Sequence, residues 1–596
     1  MPEGLSSRRL KRDVVFSLSV LAREDEQQGA DPSQFSTLVR HFFERFFSSE
    51  LASAEGDAKT RLVQAACALG LPGLVISMYL YPAYHLPLHR TRSYWQQAGD
   101  HYFYVVYALV SMAIVAVFEW DLFFPDLLDV HILSTLPVRP MRLFQARIAA
   151  IFLLIAAAIF DSNFLAIIVL PAATDPPHLL RFLAAHTVAI AASGVFGAAA
   201  LLALEALVLA ALGERWFRKI SLWLQGALVL LLLTFLFSWP AVAIELRTVL
   251  QRVTVEVLWF PPFWFQGIYQ RILDGPATPP AFHLLARIGV AATSLAVVAA
   301  AISYPLAWRR RTRDLVEGAV RRERQKLLVL PAHGFVHATL ARNPASRAIW
   351  HFIGLNLVRV PRYRMVLVIY GGAAAALVIA TVCRLQAGSG QISLVFTSEG
   401  MRAIVPMIAF LTVAGLRSTF LAPADQSGRW IFRTISGRPG LPHAQAARRW
   451  VLSWALLLTV AAAGWVSIAM PRAEIDGRFV AGQVLVAIAA SFLLTDAFFL
   501  NVRTVPFTGA KSNSATNLAL LLIPYLGFFP AVVVFTVALE PAIEVSFARI
   551  AGVTLAALAL HLLLRHTHRV RLLEHLQQFE ADEDQEDFPL RLGLRY

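Results

Sequence analysis

The chain has 596 residues, 57% of them hydrophobic and 15% charged, with a formal net charge of +14 and a mean hydropathy of +0.59. A soluble globular chain is about half apolar and about a quarter charged, so this composition excludes an ordinary soluble domain and points to a polytopic membrane protein. The basic residues lie between apolar runs, which assigns them to topology and anionic headgroups rather than to nucleic acid.

Residues 1–61 read as a cytosolic N-terminal arm. Arg8 and Arg9 mimic a twin-arginine signal, but Arg23-Glu24-Asp25-Glu26 follows where a cleavage site belongs. Within QFSTLVRHFFERFFSSE, the residues Phe35, Leu38, Phe42, Phe43 and Phe46 share one helical face. This predicts an amphipathic helix lying in the membrane interface, in preference to one packed on the membrane domain.

Twelve apolar runs reach the length of about 20 residues that hydrocarbon requires. They lie near 62–82, 103–120, 148–172, 183–212, 220–244, 284–306, 364–384, 401–421, 450–470, 479–500, 516–539 and 542–564. The first six form a half over 62–306 and the last six a half over 363–565. Residues 307–362 join them as a basic linker, WRRRTRDLVEGAVRRERQK from Trp308 to Lys326, followed by a second amphipathic stretch carrying Ile349, Trp350, Ile353 and Leu357. Residues 566–596 form a C-terminal tail. Lys and Arg are dense in alternate connections, including Arg139, Arg142, Arg147, Arg215 and Arg218, and sparse in the others. The positive-inside rule then places both termini in the cytosol. Cys67 and Cys383 both sit in apolar runs and read as small buried residues, not as a disulfide or metal framework.

The halves echo each other. Asp126, Ile132, Thr135, Arg139 and Pro140 recur as Asp425, Ile431, Thr434, Arg438 and Pro439, at a constant shift of 299. VAIAAS occurs at 188–193 and again at 486–491. Trp239-Pro240-Ala241-Val242 resembles Phe529-Pro530-Ala531-Val532, and each proline is expected to kink its helix at a matching depth. Two halves of six spans share one orientation, which makes this a parallel repeat.

No motif for hydrolysis or nucleotide binding is present. Gly509-Ala510-Lys511-Ser512 ends like a nucleotide-binding loop but lacks the upstream glycine. HExxH, GxSxG and CxxC patterns do not occur. Asp161, Glu205 and Asp496 are ionisable residues inside apolar runs. Each costs roughly 3 kcal/mol at a helix centre, so each either lines a polar path or bonds a neighbouring helix, with Ser162, Asn163 and Thr495 close in sequence to share the bond. WFPPFWFQGIYQRIL, 259–273, reads as a short helix at headgroup level on the outer face. The duplicated loop reads either as a basic turn or as a docking element. In the second case a helix capped by Asp126, or by a nearby polar residue, presents its face to a soluble partner, and Arg139 and Arg438 supply rim contacts. Two equivalent loops match a two-fold symmetric partner.

At these residues a resemblance enters. FEWDLFFPDLLDVHILSTLPVRPMRLFQARI resembles the loop after the second span in membrane permeases of type-two ABC exporters, where an acidic residue, a Leu-Pro pair and a basic residue recur. Phe260-Pro261-Pro262-Phe263-Trp264-Phe265 and Pro506-Phe507-Thr508 are similar to further stretches of the large, fused permeases of that family. The second loop departs from the pattern, with Ser436-Gly437 ahead of its Arg-Pro.

The resemblance implies an all-α polytopic membrane protein with about twelve transmembrane helices as two parallel six-helix repeats, in the cytoplasmic (inner) membrane. It implies no catalytic residue, metal or cofactor in this chain. ATP is bound by a separate ABC ATPase subunit, present as a dimer and docked on loops containing Asp126, Arg139, Pro140, Asp425, Arg438 and Pro439. Membrane lipids and an unidentified exported substrate complete the expected partners, without nucleic acid. Two rivals stand beside it. An ion-coupled secondary transporter would draw on Asp161, Glu205 and Asp496. A membrane-embedded transferase for lipid-linked substrates would draw on Glu245 and Glu256.

Overall fold

The computed structural model describes residues 32–47, 58–85, 92–133, 135–251, 255–317, 343–387, 392–421, 441–471, 475–500, 506–507 and 517–583. In the first part of the chain these form α1 (Pro32–Phe47), α2 (Ala58–His85), α3 (Tyr94–Phe118), α4 (Leu127–Leu133), α5 (Pro140–Thr174), α6 (Leu179–Phe237), α7 (Trp239–Gln251), α8 (Val255–Leu258), α9 (Pro261–Asp274) and α10 (Pro280–Val316). The second part contains α11 (Pro344–Arg359), α12 (Pro361–Val382), strands β1 (Cys383–Ala387) and β2 (Ile392–Phe396), α13 (Ser398–Leu421), α14 (Leu441–Ala469), α15 (Gly477–Phe499), α16 (Asn517–Ile543) and α17 (Phe547–Glu583). Among the described residues, nine helices are long and apolar enough to cross a membrane: α3, α5, α6, α10, α12, α13, α14, α15 and α17. The protein is an all-α chain of the polytopic membrane class.

α6 is two legs rather than one rod. Its 59 residues would reach roughly 90 Å if straight, about three times the hydrocarbon thickness. Gly213 breaks it with φ 73° and ψ 167°, a conformation that only glycine adopts without strain. Arg310 of α10 donates to the carbonyls of Ala210 and Ala211, satisfying orphan acceptors where the first leg ends.

Successive legs alternate in direction. Residues 118–133 and 135–140, the Gly213 turn and the C-terminal part of α10 therefore share one end, where Tyr304 donates to the Phe123 carbonyl at 2.7 Å. The opposite end is joined by Tyr94 to Asp274 at 2.9 Å and by Gln266 to the Ala98 carbonyl at 2.8 Å. α3 is the central helix of the first part and is buried almost all round. At Gly197 of α6 an added Cβ would stand 2.6 Å from the Leu109 carbonyl oxygen of α3, so the two backbones touch there as small-residue crossings allow. The second leg of α6 also packs on α12, which sends Met365 into the first core. A separate core joins Ile353, Tyr363, Phe410, Val451 and Phe507 from α11, α12, α13, α14 and the turn at 506–507. The apolar part of α17 is exposed along its length, as suits a helix facing lipid.

Several local expectations change. The apolar stripe of α1 is covered by protein: Leu38, Phe42 and Phe46 are buried in the first core, against α5 and the Trp120–Phe124 turn. α11 likewise packs Ile349, Ile353 and Leu357 on protein, beside α14. Burying one such side chain is worth about 1.5–3 kcal/mol, so both helices are held by the bundle rather than by lipid alone. α9 is not a surface anchor, since Phe265, Gln266 and Tyr269 are fully buried between α3, α6 and α10. Pro240 opens a new helix after a turn at Ser238, whereas the helix continues through Pro530. The two prolines thus do different local work. The β1–β2 hairpin was not expected; it pairs Cys383 with Phe396 and Leu385 with Leu394 in antiparallel register. Its ISLVF segment, rich in β-branched and aromatic residues, follows Gly388-Ser389-Gly390, a turn composition. Helices also run past the expected ends of the halves, α10 to Val316 and α17 to Glu583.

Candidate functional site

α4 has seven residues, too few for a helix to persist unaided in water. Its stability must come from its ends and its tethers. Asp126 supplies the start: its carboxylate accepts from the Asp129 amide at 2.7 Å, and its carbonyl accepts from the Val130 amide at 3.1 Å. This is the geometry of an N-cap. Thr135 closes the other end by donating its hydroxyl to the Ile132 carbonyl at 2.7 Å, and Pro137 bars further helix.

Two arginines fix α4 in space. Arg147 of α5 is buried, lies 2.9 Å from Asp129, and donates to the carbonyls of Leu122 and Phe124 at 2.7 and 2.9 Å. Its guanidinium also faces the rings of Phe42 and Trp308. Arg45 of α1 pairs with Asp126 at 2.6 Å and also with Asp129. Burial alone would raise the Asp129 carboxyl, but the Arg147 guanidinium, with Arg45 and the Asp126 amide, holds it below its ordinary value. The preceding turn is fixed as firmly. Trp120 is fully buried and stacks on Phe217 of α6 at 6.1 Å, and Phe124 meets Tyr304 of α10 at 5.0 Å. α4 is therefore bolted to α1 and α5 by ion pairs, and the turn that leads into it is packed on α6 and α10.

The other face of α4 is open. Leu127, Ile132 and Leu136 are exposed, as is Met141 at the start of α5. Exposed apolar residues are ordinary on spans that face hydrocarbon. Leu127, Ile132 and Leu136 lie outside the candidate spans and Met141 in the first turn of one, beside Arg139, the residue preceding α5, and Arg142. Pro140 fills the first position of α5, where its missing N–H costs nothing. Arg142 reaches back to Gln34 of α1 at 2.7 Å. The arrangement is a rigid knob with an apolar tip and a basic rim, held directly by α1 and α5 and through the preceding turn by α6 and α10.

Asp425, Arg438 and Pro439 lie outside the described residues. The helices on either side, α13 and α14, end at the same end of the bundle as α4. Near them Phe507 is buried against Tyr363 at 4.6 Å and Phe420 at 5.4 Å. It holds φ 66°, which a bulky residue keeps only when its surroundings enforce it.

The three intramembrane acids part company. Asp496 pairs with Arg448 of α14 and His561 of α17, so it is a structural junction between helices. Glu205 is fully buried with neither carboxylate oxygen bonded, and Asp161 has one buried oxygen without a partner. The structure does not bring these acids together. Among the described residues it does assemble polar groups that sequence reading missed, and two of them matter here. One joins Asp129, Arg147 and Arg45 as described; Arg45 sits on the Leu38–Phe42 stripe of α1, and that misplaced charge was the available signal. The other joins Arg402 of α13, Gln483 of α15, Glu540 of α16 and the adjoining Glu544. Glu540 lies at the end of a long apolar run and stood out no more than any helix-end acid. Among the described residues no group of three or more His, Cys, Asp or Glu could hold a metal ion.

No family model, curated protein or solved structure matches the chain.

Proposed function

We propose that this chain is the membrane-spanning permease of an ATP-driven exporter and that α4 is where an ATP-hydrolysing partner docks. The observation that carries the reading is the tethered α4 knob. An exposed apolar tip outside the spans marks a protein contact, and Arg147, Trp120 and Tyr304 would pass a push on that tip straight into α5, α6 and α10. The resemblance of this same loop to type-two ABC permeases points to the same partner.

In this reading the first leg and second leg of α6 count separately and α2 and α16 also span, which gives twelve crossings as two parallel six-helix repeats. The α4 end, rich in Arg, faces the cytosol together with both termini, in the cytoplasmic membrane. The partner is a dimer of ABC ATPase subunits that binds the ATP, and its second subunit meets the loop containing Asp425, Arg438 and Pro439. Asp126 caps and tethers α4 rather than touching the partner, while Arg139 and Pro140 belong to the rim. The exported substrate is not specified by any residue pattern.

The test is reconstitution with an ABC ATPase subunit that copurifies with the chain. Ile132→Glu and Leu136→Glu, both at exposed positions, leave the fold intact and remove stimulation of ATP hydrolysis by the permease. Stimulation that survives both changes refutes docking at α4.

A further inference from the structure

We propose that Glu540, Glu544 and Gln483 form a binding site for a monovalent cation, a proton or a sodium ion, at the end of the bundle opposite α4. Two carboxylates converge there on one guanidinium. Arg402 lies 3.0 Å from Glu540 and 2.9 Å from Glu544, and Phe479 covers the Arg402 guanidinium at 5.0 Å. One negative charge is left over. Gln483 donates its amide to Glu540, yet the second oxygen of Glu540 and the side-chain oxygen of Gln483 accept no hydrogen bond. Glu540 is 1% exposed and Gln483 0%.

Two orphaned acceptors beside an unbalanced carboxylate are costly in a buried site. Bringing in another anion or a neutral donor would leave the charge standing. A monovalent cation removes the charge and satisfies the oxygens together. The donor set is all oxygen, which suits hard cations such as sodium. A route to solvent exists, because Arg402 and Glu544 each keep 14% of their side chains exposed while the oxygens deeper in stay covered.

The surrounding charges do not supply the missing cation. Arg478 of α15 and Arg549 of α17 are exposed and donate to the carbonyls of Val545 and Ala542, at 2.9 and 3.0 Å. Asp476 is engaged with Arg478. α2, which also touches α16, has no acidic residue and no Lys or Arg between Leu62 and Tyr84. Occupancy of the site would therefore set how α13, α15 and α16 pack against one another. The proposal stands independently of the permease reading, since it concerns the opposite end and needs no partner.

The test uses the full chain purified in detergent, with the unfolding midpoint read by tryptophan fluorescence. Sodium chloride is titrated against choline chloride at fixed ionic strength, at acidic, neutral and alkaline pH. A sodium site gives a midpoint that rises saturably with sodium and not with choline. A proton site gives a midpoint blind to sodium that falls as the pH rises, because deprotonation restores the unbalanced charge. Either dependence is abolished by Glu540→Gln, which keeps the shape and removes the charge. Gln483→Leu, which leaves both carboxylates in place, shifts the sodium or proton midpoint by at least about tenfold, the usual order for losing one supporting group. A wild-type midpoint that responds to neither ion overturns the proposal, as does a response retained unchanged by both variants.

Discussion

Arg147→Met is the sharpest test of how α4 is held. The substitution keeps the length of the side chain and removes the guanidinium that faces Asp129 at 2.9 Å and the carbonyls of Leu122 and Phe124. Breaking one side of a buried ion pair costs about 3–5 kcal/mol, and each carbonyl left without a donor adds about 1–3 kcal/mol where water cannot reach it. Arg45 still faces Asp129, so the ion-pair loss sits near the lower figure, and about 3 kcal/mol is the least the substitution should cost in total. At about 1.4 kcal/mol per factor of ten, the opening equilibrium of the α4 turn rises by at least roughly 100-fold. Hydrogen exchange at the Asp129 and Val130 amides reads it directly, since both bond to Asp126. Protection there should fall by that factor while the α3 amides hold. Arg142→Met, which removes only the bond to Gln34, should change protection less than tenfold. A change below tenfold for Arg147→Met would refute the claim that this residue anchors the knob.

Other outcomes follow from the same geometry. Asp129 is held below its ordinary value, so its contribution is fully present above the unfolded carboxylate value of about 4 and is lost as the pH falls through the lower folded one. Exchange at α4 should therefore accelerate on acidification only below that value, and Asp129→Asn should flatten the response. Gly213→Ala forces a side chain into φ 73°, ψ 167° and should cost about 1–3 kcal/mol, seen as a lower unfolding midpoint. Gly197→Ala puts a methyl 2.6 Å from the Leu109 oxygen and should cost about 1–3 kcal/mol by spreading α3 from α6. Asp496→Ala strands Arg448 and His561 and should cost about 3–5 kcal/mol. The double change with Arg448→Ala should cost less than the sum of the singles.

Much of the fold was legible because membrane helices announce themselves. Hydrocarbon demands unbroken apolar length, and the runs that became α3, α5, α10, α13, α14 and α15 are written in consecutive residues. The reversal inside α6 was also written, as Gly213 between two apolar runs with Arg215 and Arg218 after it. What escaped was anything decided by partners distant in sequence. The burial of α9 depends on α3 and α10 making room for Phe265 and Tyr269, and aromatic composition alone suits an interfacial helix equally well. The capping of α4 by Asp126 could be read from one short segment. The pairing of Asp129 with Arg45, 84 residues away, could not, because spacing carries no signal at that separation. Glu540 was passed over for the same reason: its meaning comes from Arg402, 138 residues earlier.

The central claim is that the tip of α4 meets an ATP-hydrolysing partner. The most direct measurement places a photo-crosslinking amino acid at Ile132, in native membranes, and identifies the captured chain by mass spectrometry. The account predicts a single soluble protein carrying a GxxxxGK[ST] loop, captured from Ile132 and not from a lipid-facing control at Phe160, which is also exposed. Capture of the same chain from both positions, or of a chain without a nucleotide-binding loop from Ile132, would contradict it.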